Sequence, residues 1–554
     1  MEIITINFCI DYNIITMNKL ILKDLLLNEL KTIANELNIE KEILLIEPKG
    51  HADLTTNMAM GNKRNPLELA KLIVSKIDKN KFGLSSIEIA GPGFINFNIA
   101  EGSFIDAVNE IIKKGENYGK GNLKGDINIE FVSANPTGYL HVGHARNAAI
   151  GSTIANIVEF AGMNVTREYY INDAGNQINM LAESVFARYQ QIFNPDFELP
   201  EESYKGSDIV WGAKEFFKKY GDKFKDQKLE GELLDFFKKE SVELYLTVIK
   251  KTLKDFGVWF DVFYSEKSLY DNNAEKIYAT VKELKNAYQK DGATWLKTTI
   301  HGDDKDRVLI KSDGDFTYFL PDIAYHRIKF NKTGKNPIIM NVWGADHSGY
   351  IKRMECAMKD LGMKSDNLIV LCMQLVRLVK NGEEFKMSKR RGTSFYLKEF
   401  VDLVGKDSAR FILLDRTYNS KLDFDIDIAT SKNNDNPVIL VQYANARAWT
   451  LLNKTNLKEN EIIATSYTDE NDQKLVSTLL EFPEIIKKSA EKYLTHLLTQ
   501  YLIKVAKEFN SWYSNSEKII GHNEESSKLA LVKAVNIVLE NGLKLLEVSA
   551  PHQM

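Results

Sequence analysis

Apolar residues alternate at Ile127, Ile129 and Phe131, the period-two pattern of a strand. Pro136, Thr137 and Gly138 interrupt it, and beyond them Ala145, Ala148, Ala149, Ile154, Ile157 and Val158 recur at helical spacing. The stretch 126–160 therefore predicts a strand, a tight turn and a helix beginning between His141 and Gly143. Such a turn gathers free backbone N–H groups and the positive end of a helix at one point, a ready anion site. His141 and His144, three positions apart, share one side of the first helical turn and suit hydrogen bonding to a phosphate.

The same reading organises the rest of the chain. Leu20, Ile21, Leu25, Leu26, Leu30, Ile33 and Leu37 mark an amphipathic helix, followed by a turn over 51–60 and a second helix over 65–77. Residues 87–100 read as two strands around Gly91-Pro92-Gly93, which completes an α/β module over 17–120. Past the central stretch, 165–171 alternates as another strand and ends in the polar turn 172–177. In open α/β sheets such strand ends face the ligand cleft. Residues 178–290 are long, charged and mostly helical, so we expect a helical insertion over about 185–290 within a larger domain spanning 121–395. Its lysine runs read as a solvated face.

The second half of that domain opens near Asp291. It carries a hairpin over 307–320 around Asp313-Gly314, then a Pro-started helix over 321–330 with Asp322 and His326. A strand, turn and helix over 338–353 set Asp346 and His347 at a strand end. Residues 368–379 are strand-like and Asn381-Gly382 forms a tight turn. The returning segment gathers Lys386, Lys389, Arg390 and Arg391 around Met387, Ser388 and Gly392. Alone, this cluster reads as a solvated loop. Paired with the histidine turn it suits a triphosphate, because lysine is a mobile point charge that meets developing negative charge. A stem over 396–435 follows. Asn436-Pro437 is a helix-start signal, and 436–554 is helical throughout. Tyr443, Trp512 and Tyr513 there suit either core filling or stacking on unpaired bases.

Composition narrows the picture. A chain of 554 residues exceeds one core, and 44% hydrophobic with 27% charged residues is ordinary for a globular protein. Its apolar runs fall short of a membrane span. A net charge of −4 excludes gripping nucleic acid by bulk electrostatics; such a partner needs a shaped, locally basic surface. Cys9, Cys356 and Cys372 show neither disulfide arithmetic nor C-x-x-C spacing, so we expect a reduced, cytoplasmic setting without structural zinc. Residues 1–16 lack a basic n-region, and Asn7 and Asp11 break their apolar run, so they do not read as a signal peptide. Met17 looks like the better domain start, and we expect 1–16 to be an N-terminal extension.

His141-Val142-Gly143-His144 resembles the HIGH signature of class I aminoacyl-tRNA synthetases, and Lys386-Met387-Ser388-Lys389-Arg390 resembles their KMSKS signature. The surrounding phrases resemble arginyl-tRNA synthetases in particular: EFVSANPTGYLHVGHARN, YYINDAGNQI, DGATWL, TYFLPDIAYH, VWGADHSGY, DNPVILVQYANAR, EVSAPHQM, and, near the N-terminus, HADLTTNMAM and AGPGFINF. The signature run is Ala134, Asn135, Pro136, Thr137, Gly138, Tyr139, Leu140, His141, Val142, Gly143 and His144. Two departures stand out: Asn445 sits where the family has histidine, and 1–16 have no counterpart.

This resemblance implies a Rossmann-type class I catalytic domain split by a helical insertion, an N-terminal module that contacts the tRNA elbow, and a helical anticodon-binding domain. It implies arginine, ATP with Mg2+, and tRNA-Arg as substrates, and a monomeric enzyme. His141 and His144 would stabilise phosphate charge, Lys386 and Lys389 the leaving pyrophosphate, with Gly138, Gly143, Met387 and Ser388 completing the ATP site. Asn135 would hold the arginine backbone groups, Asp322 pair with the guanidinium, Tyr318 orient it and Glu130 assist at the amino group, with His141 and Asp346 in the same pocket. Tyr513 and Met554 would lie near the anticodon. A planar cation does need carboxylates in fork geometry. The residues themselves leave plainer roles open: a strand-end salt bridge for Glu130, a helix-dipole carboxylate for Asp322.

Rival readings fit less well. His141-x-x-His144 lacks the glutamate and the spacing of a zinc hydrolase motif. Another synthetase or nucleotidyltransferase of the same fold lacks support from thiolate sites or an editing insertion, and a non-catalytic RNA binder has no need of both signatures.

Overall fold

The computed structural model describes residues 19–46, 48, 52–79, 82–345, 348–385 and 395–554. Residues 1–16, Asp346, His347 and the Lys386–Arg391 cluster lie outside the described residues.

The N-terminal module comprises α1 (Lys19–Glu36), β1 (Leu54–Thr56), α2 (Pro66–Ser75), β2 (Leu84–Ala90), β3 (Phe94–Ile99) and α3 (Glu101–Lys114). Its sheet has order β1-β3-β2. Where the chain pattern suggested only a turn over 51–60, Leu54, Thr55 and Thr56 form a buried strand antiparallel to β3. Two adjacent threonines explain the difference, since branching at Cβ favours the pleated conformation. α2 starts as its sequence dictates: the Asn65 side chain accepts from Leu67 N–H, and proline occupies the first turn.

The central domain is built on five parallel strands in the order β11-β10-β4-β5-β6. These are β4 (Asp126–Glu130), β5 (Asn164–Ile171), β6 (Val262–Ser265), β10 (Ile338–Gly344) and β11 (Leu368–Met373). Between β4 and β5 runs α4 (Gly143–Phe160); between β5 and β6 run α5 (Asn176–Gln190), α6 (Ser207–Tyr220) and α7 (Gly231–Asp255). Then come α8 (Asp271–Glu283), a small antiparallel sheet of β7 (Ala287–Lys290), β8 (Ala293–Leu296) and β9 (Arg307–Ile310), α9 (Phe319–Thr333) and α10 (Ser348–Asp360). The insertion thus ends earlier than about 290. Val262–Ser265 pairs in register with Glu168–Ile171 and belongs to the main sheet. A four-residue strand is too short to break a long charged helical pattern visibly.

β4 is the pivot. Connections run from it to β5 on one side, while β10 flanks it on the other, so the chain reverses direction across the sheet between β4 and β10. Ligand sites in such sheets lie beyond the strand ends at that crevice. Helix α4, which leads away from it, is buried from Ala145 through Val158 except at the half-buried Asn147. Small residues permit that enclosure: a Cβ on Gly151 would overlap the Phe131 ring.

β12 (Val376–Lys380) and β13 (Glu383–Glu384) end the larger domain, and the stem adds α11 (Leu397–Val404), α12 (Lys406–Leu414), β14 (Leu422–Asp425), which pairs with β12, and α13 (Ile426–Thr430). A five-helix C-terminal domain follows: α14 (Pro437–Leu452), α15 (Glu470–Leu480), α16 (Phe482–Lys492), α17 (His496–Asn515) and α18 (Glu525–Leu545). Asn436 caps α14 through Val438 N–H, with Pro437 at the first position.

Candidate active site

Two cavities open side by side at the carboxyl ends of β4 and β10. The first, about 440 Å³, is lined by Ala134, Asn135, Thr137, Gly138, Tyr139, Leu140, His141 and His144, with further residues from α6 and Tyr396. The second, about 230 Å³, contains Glu130, Asp322, His326, Tyr170, Tyr325 and Tyr350 among its walls. The 132–135 segment separates them: Val132 and Ser133 line the second, Ala134 and Asn135 the first.

That segment is unusual backbone. Val132 and Ser133 adopt positive φ of 66° and 39°, a region that a β-branched residue enters only under constraint. The constraint is Asn147 of α4. Its Oδ1 accepts the Val132 N–H at 2.7 Å, and its Nδ2 donates to the Val342 carbonyl at 2.9 Å. One side chain thereby ties the ends of β4 and β10 across the crevice.

In the first cavity the rings of His141 and His144 lie 4.0 Å apart between centroids. His141 Nδ1 accepts the Gly143 N–H at 3.0 Å, which leaves Nε2 as the protonated nitrogen of a neutral ring. A Cβ on Gly143 would overlap that imidazole. Loss of hydration shifts His141 down, and burial beside His141 pushes His144 down to about 4. Both are therefore neutral near pH 7. His144 Nδ1 is buried and has no hydrogen-bond partner among the described residues, the kind of orphaned atom an incoming phosphate or ribose oxygen satisfies. Asn135 also lines this cavity and donates to Gln177 Oε1 at 2.5 Å. Val142 N–H donates to the Phe395 carbonyl at 2.8 Å and Leu397 N–H to the Leu140 carbonyl at 2.7 Å. The backbone just past the cationic segment thus joins the histidine turn.

The second cavity is acidic. Asp322 sits in the first turn of α9 and is held by the Tyr350 hydroxyl, which donates to Oδ2 at 2.6 Å. Burial pushes its carboxyl up to about 6, with Glu130 adding repulsion. Beside the lining residues Asp322 and Tyr170, Glu266, the residue directly after β6, is raised to about 7 by burial and then by Asp322. Carboxylates crowded together and desolvated in this way are poised for a cation. Glu130 differs: burial opposes its ionisation, but Lys329 at 2.7 Å more than offsets this and holds it below the usual range. The salt-bridge role for Glu130 is thus occupied. Lys329 also donates to Asn341 Oδ1 at 2.9 Å, Asn341 meets His326 Nε2 at 2.7 Å, and His326 Nδ1–H donates to the Asp322 carbonyl at 2.8 Å. This chain of bonds fixes the floor of the cavity.

Comparison with known proteins decides the family. Residues 107–429 match the family described as tRNA synthetases class I (R), catalytic domain; residues 20–99 match Arginyl tRNA synthetase N terminal domain, and 441–554 the DALR anticodon binding domain. The arginine–tRNA ligase of Metamycoplasma arthritidis is 47% identical over 545 residues, covering 96% of this chain and 99% of its own. The chain belongs to the arginyl-tRNA synthetase family.

The Bacillus subtilis arginine–tRNA ligase is 43% identical, covering 96% of this chain and 99% of its own. A Campylobacter jejuni structure titled as a putative arginyl tRNA synthetase superposes with TM-score 0.76 at 32% identity, covering 82% of this chain and 100% of that one. The Thermus thermophilus arginyl-tRNA synthetase shares the fold, with TM-score 0.72 at 20% identity over 96% of this chain and 100% of that one.

The synthetase structure brings His141, His144, Gly138 and Asn135 around one cavity and Glu130 with Asp322 around the other. Tyr318 stands at the N-terminal boundary of α9, a turn before Asp322, and is 94% exposed. In the anticodon-binding domain, Tyr513 and Met554 are exposed, and Arg447 stacks 4.8 Å from the Tyr513 ring and 4.7 Å from Tyr443. Trp512 is buried and donates to Asp472 at 2.7 Å, which makes it a core residue. Asn445 is also buried, donating to the Pro551 carbonyl at 3.2 Å and accepting from Asn536 at 2.8 Å. Sequence reading missed Glu266, Tyr350 and the α6 wall, because each sits in a stretch whose pattern reads as ordinary helix or solvated loop. Among the described residues no three His, Cys, Asp or Glu side chains group as a metal site would, and no helix is long and apolar enough to cross a membrane.

Proposed function

We propose that this synthetase joins L-arginine to tRNA-Arg in two steps, with the 440 Å³ cavity taking ATP and the 230 Å³ cavity taking arginine. The arginine carboxylate attacks the α-phosphorus, the bond to pyrophosphate breaks, and arginyl-adenylate forms. The 2′-hydroxyl of the terminal adenosine then attacks the arginyl carbonyl and AMP leaves. The observation that carries this reading is a crowded carboxylate pocket lying one strand-end away from a turn of neutral imidazoles.

Each group then has work to do. Asp322 and Glu266 supply the negative charge that a permanently charged guanidinium demands. Asn135, on the wall between the cavities, is where the reacting carboxylate and the α-phosphate meet. His141 and His144 donate to phosphate oxygens without needing to change protonation, since the carboxylate nucleophile requires no base. Catalysis is then positioning plus stabilisation of phosphate charge. Lys386 and Lys389, assigned from the sequence to the leaving pyrophosphate, complete the charge balance, and Asp346 keeps its sequence assignment to the arginine pocket. Glu130 acts through Lys329 on the pocket floor. Magnesium enters on the phosphates of ATP as part of the substrate. We read the N-terminal module as contacting the tRNA elbow, Tyr513 and Met554 as facing the anticodon, and the enzyme as a cytoplasmic monomer.

The test is charging of tRNA with each of the twenty amino acids in turn. Arginine alone should be attached. Attachment of a different amino acid, or none at all, overturns the reading.

A further inference from the structure

The ATP cavity has a wall that neither the histidine turn nor the cationic segment supplies. Tyr204, Lys205, Gly206 and Asp208, at the N-terminal end of α6 in the helical insertion, line it opposite the 134–144 turn. Asp208 is buried, and its Oδ2 accepts the Tyr139 N–H at 3.1 Å. Its backbone carbonyl accepts the Tyr245 hydroxyl of α7 at 2.9 Å, so the insertion braces this corner from behind. Tyr396, which bridges to His141 through the backbone, brings its hydroxyl into hydrogen-bonding reach of Ser207 and Asp208. Around these bonds the ring of Tyr139 packs 5.4 Å from Trp211 and 5.3 Å from Tyr396, and Trp211 lies 6.1 Å from Tyr245.

Two glycines mark how closely this carboxylate is seated. A Cβ on Gly138 would overlap one of its oxygens, and a Cβ on Gly206 the other. A carboxylate beside a triphosphate site repels the substrate unless its oxygens are committed elsewhere. Here Oδ2 is committed to the Tyr139 N–H of the histidine turn and Oδ1 accepts the Ile209 N–H of α6 at 3.1 Å, with the Tyr396 hydroxyl close by.

We infer that Asp208 is a positioning residue for adenylate formation, fixing the Gly138–Tyr139 step from which His141 and His144 reach the phosphates, so that the insertion forms part of the catalytic site. This rests on the assignment of that cavity to ATP. Misplacing reacting groups by about 1 Å costs on the order of 100-fold in rate.

The experiment measures arginine-dependent ATP–pyrophosphate exchange in the presence of tRNA, alongside thermal unfolding. Asp208→Ala should lower kcat by roughly 100-fold while leaving the arginine KM within about twofold. Asp208→Asn keeps an oxygen to accept the Tyr139 N–H and should recover most of the rate. Phe237→Leu, a fully buried residue in the core of the same insertion, should lower the unfolding temperature without touching kcat. Wild-type kcat in Asp208→Ala, equal losses in the Ala and Asn variants, or an equal loss of kcat in Phe237→Leu would each overturn the proposal alone. A wild-type chain without arginine-dependent exchange would overturn it together with the ATP assignment.

Discussion

At the residue scale the chemistry turns on where Asp322 and Glu266 hold their protons. Ordinary carboxylates are fully ionised by pH 6, whereas these are pushed up to about 6 and about 7, first by burial and then by a neighbouring charge, Glu130 for Asp322 and Asp322 for Glu266. Arginine keeps its charge throughout, so binding favours the ionised pair and releases protons from it. Arginine affinity should therefore weaken as pH falls from about 7 towards 5, and calorimetry at pH 6 in buffers of different ionisation enthalpy should show protons released on binding. A flat affinity profile across that range would remove the pair from the pocket. Asp322→Asn should raise the arginine KM strongly and abolish the portion of the profile near pH 6. The linkage also acts on folding. Acids with raised folded pKa values stabilise the ligand-free protein at low pH and lose that contribution as pH rises through the folded values, about 6 for Asp322 and about 7 for Glu266. His144 and His326, lowered to about 4 by burial, act in the opposite sense, removing stability as pH falls from 6.5 to 4. His144→Ala should cost roughly 2–4 kcal/mol in the activation barrier, read as the loss of kcat/KM in pyrophosphate exchange.

At the element scale the junction of β4 and α4 concentrates both what was legible in the chain and what was not. Alternation at Ile127, Ile129 and Phe131 marked the strand, and the Pro-Thr-Gly break with the helical spacing beyond it placed the start of α4 between His141 and Gly143, where it begins at Gly143. The opposite face of β4 was legible only in part: the strand-end salt bridge open to Glu130 is made with Lys329, whereas nothing announced that Asn128 is buried and donates to Glu168. Parallel strands are covered on both faces, so polarity there signals a network under the site rather than water. Asn147 is similar: nothing in its spacing announces that it holds Val132 at positive φ. Asn147→Ala leaves the Val132 N–H without its acceptor, and should cost about 1–3 kcal/mol of stability while lowering exchange activity as the strand end relaxes. Asn147→Asp keeps the acceptor and should retain more of both. Chemical denaturation and exchange kinetics on the pair test this, and an Ala variant indistinguishable from wild type would show that the turn holds itself.

At the scale of the whole molecule, one buried cation joins segments far apart in sequence. Arg410 of α12 is fully buried, and burial lowers its pKa to about 10, so it is charged at neutral pH. Its Nε donates to the Leu546 carbonyl at 2.7 Å, at the end of α18, and its guanidinium also reaches the Phe256 carbonyl at 3.1 Å, just past α7. The remaining bonds go to Ser152 and Thr153 of α4, at 2.9 and 3.1 Å. The anticodon-binding domain, the insertion, the stem and the helix that starts at the histidine turn thus share one side chain. Asn156 repeats the link from α4 to the Leu545 carbonyl at 3.2 Å, and Asn541 ties α18 to the Gly115 carbonyl beside the N-terminal module at 3.0 Å. Arg410→Ala would strand several buried acceptors at once, and should remove about 3–5 kcal/mol of stability. Arg410→Lys, with a point charge in place of a planar fork, should lose part of that, since it cannot reach four acceptors in different directions. Because the arginine pocket lies on other elements, the arginine KM of the folded variant should stay close to wild type. The KM for tRNA should rise, as the anticodon-binding domain loses its fixed orientation against α4. Urea unfolding followed by circular dichroism, with separate titrations of arginine and tRNA, distinguishes these effects. An unchanged unfolding midpoint in Arg410→Ala would mean that the domains are held in place by their apolar contacts alone.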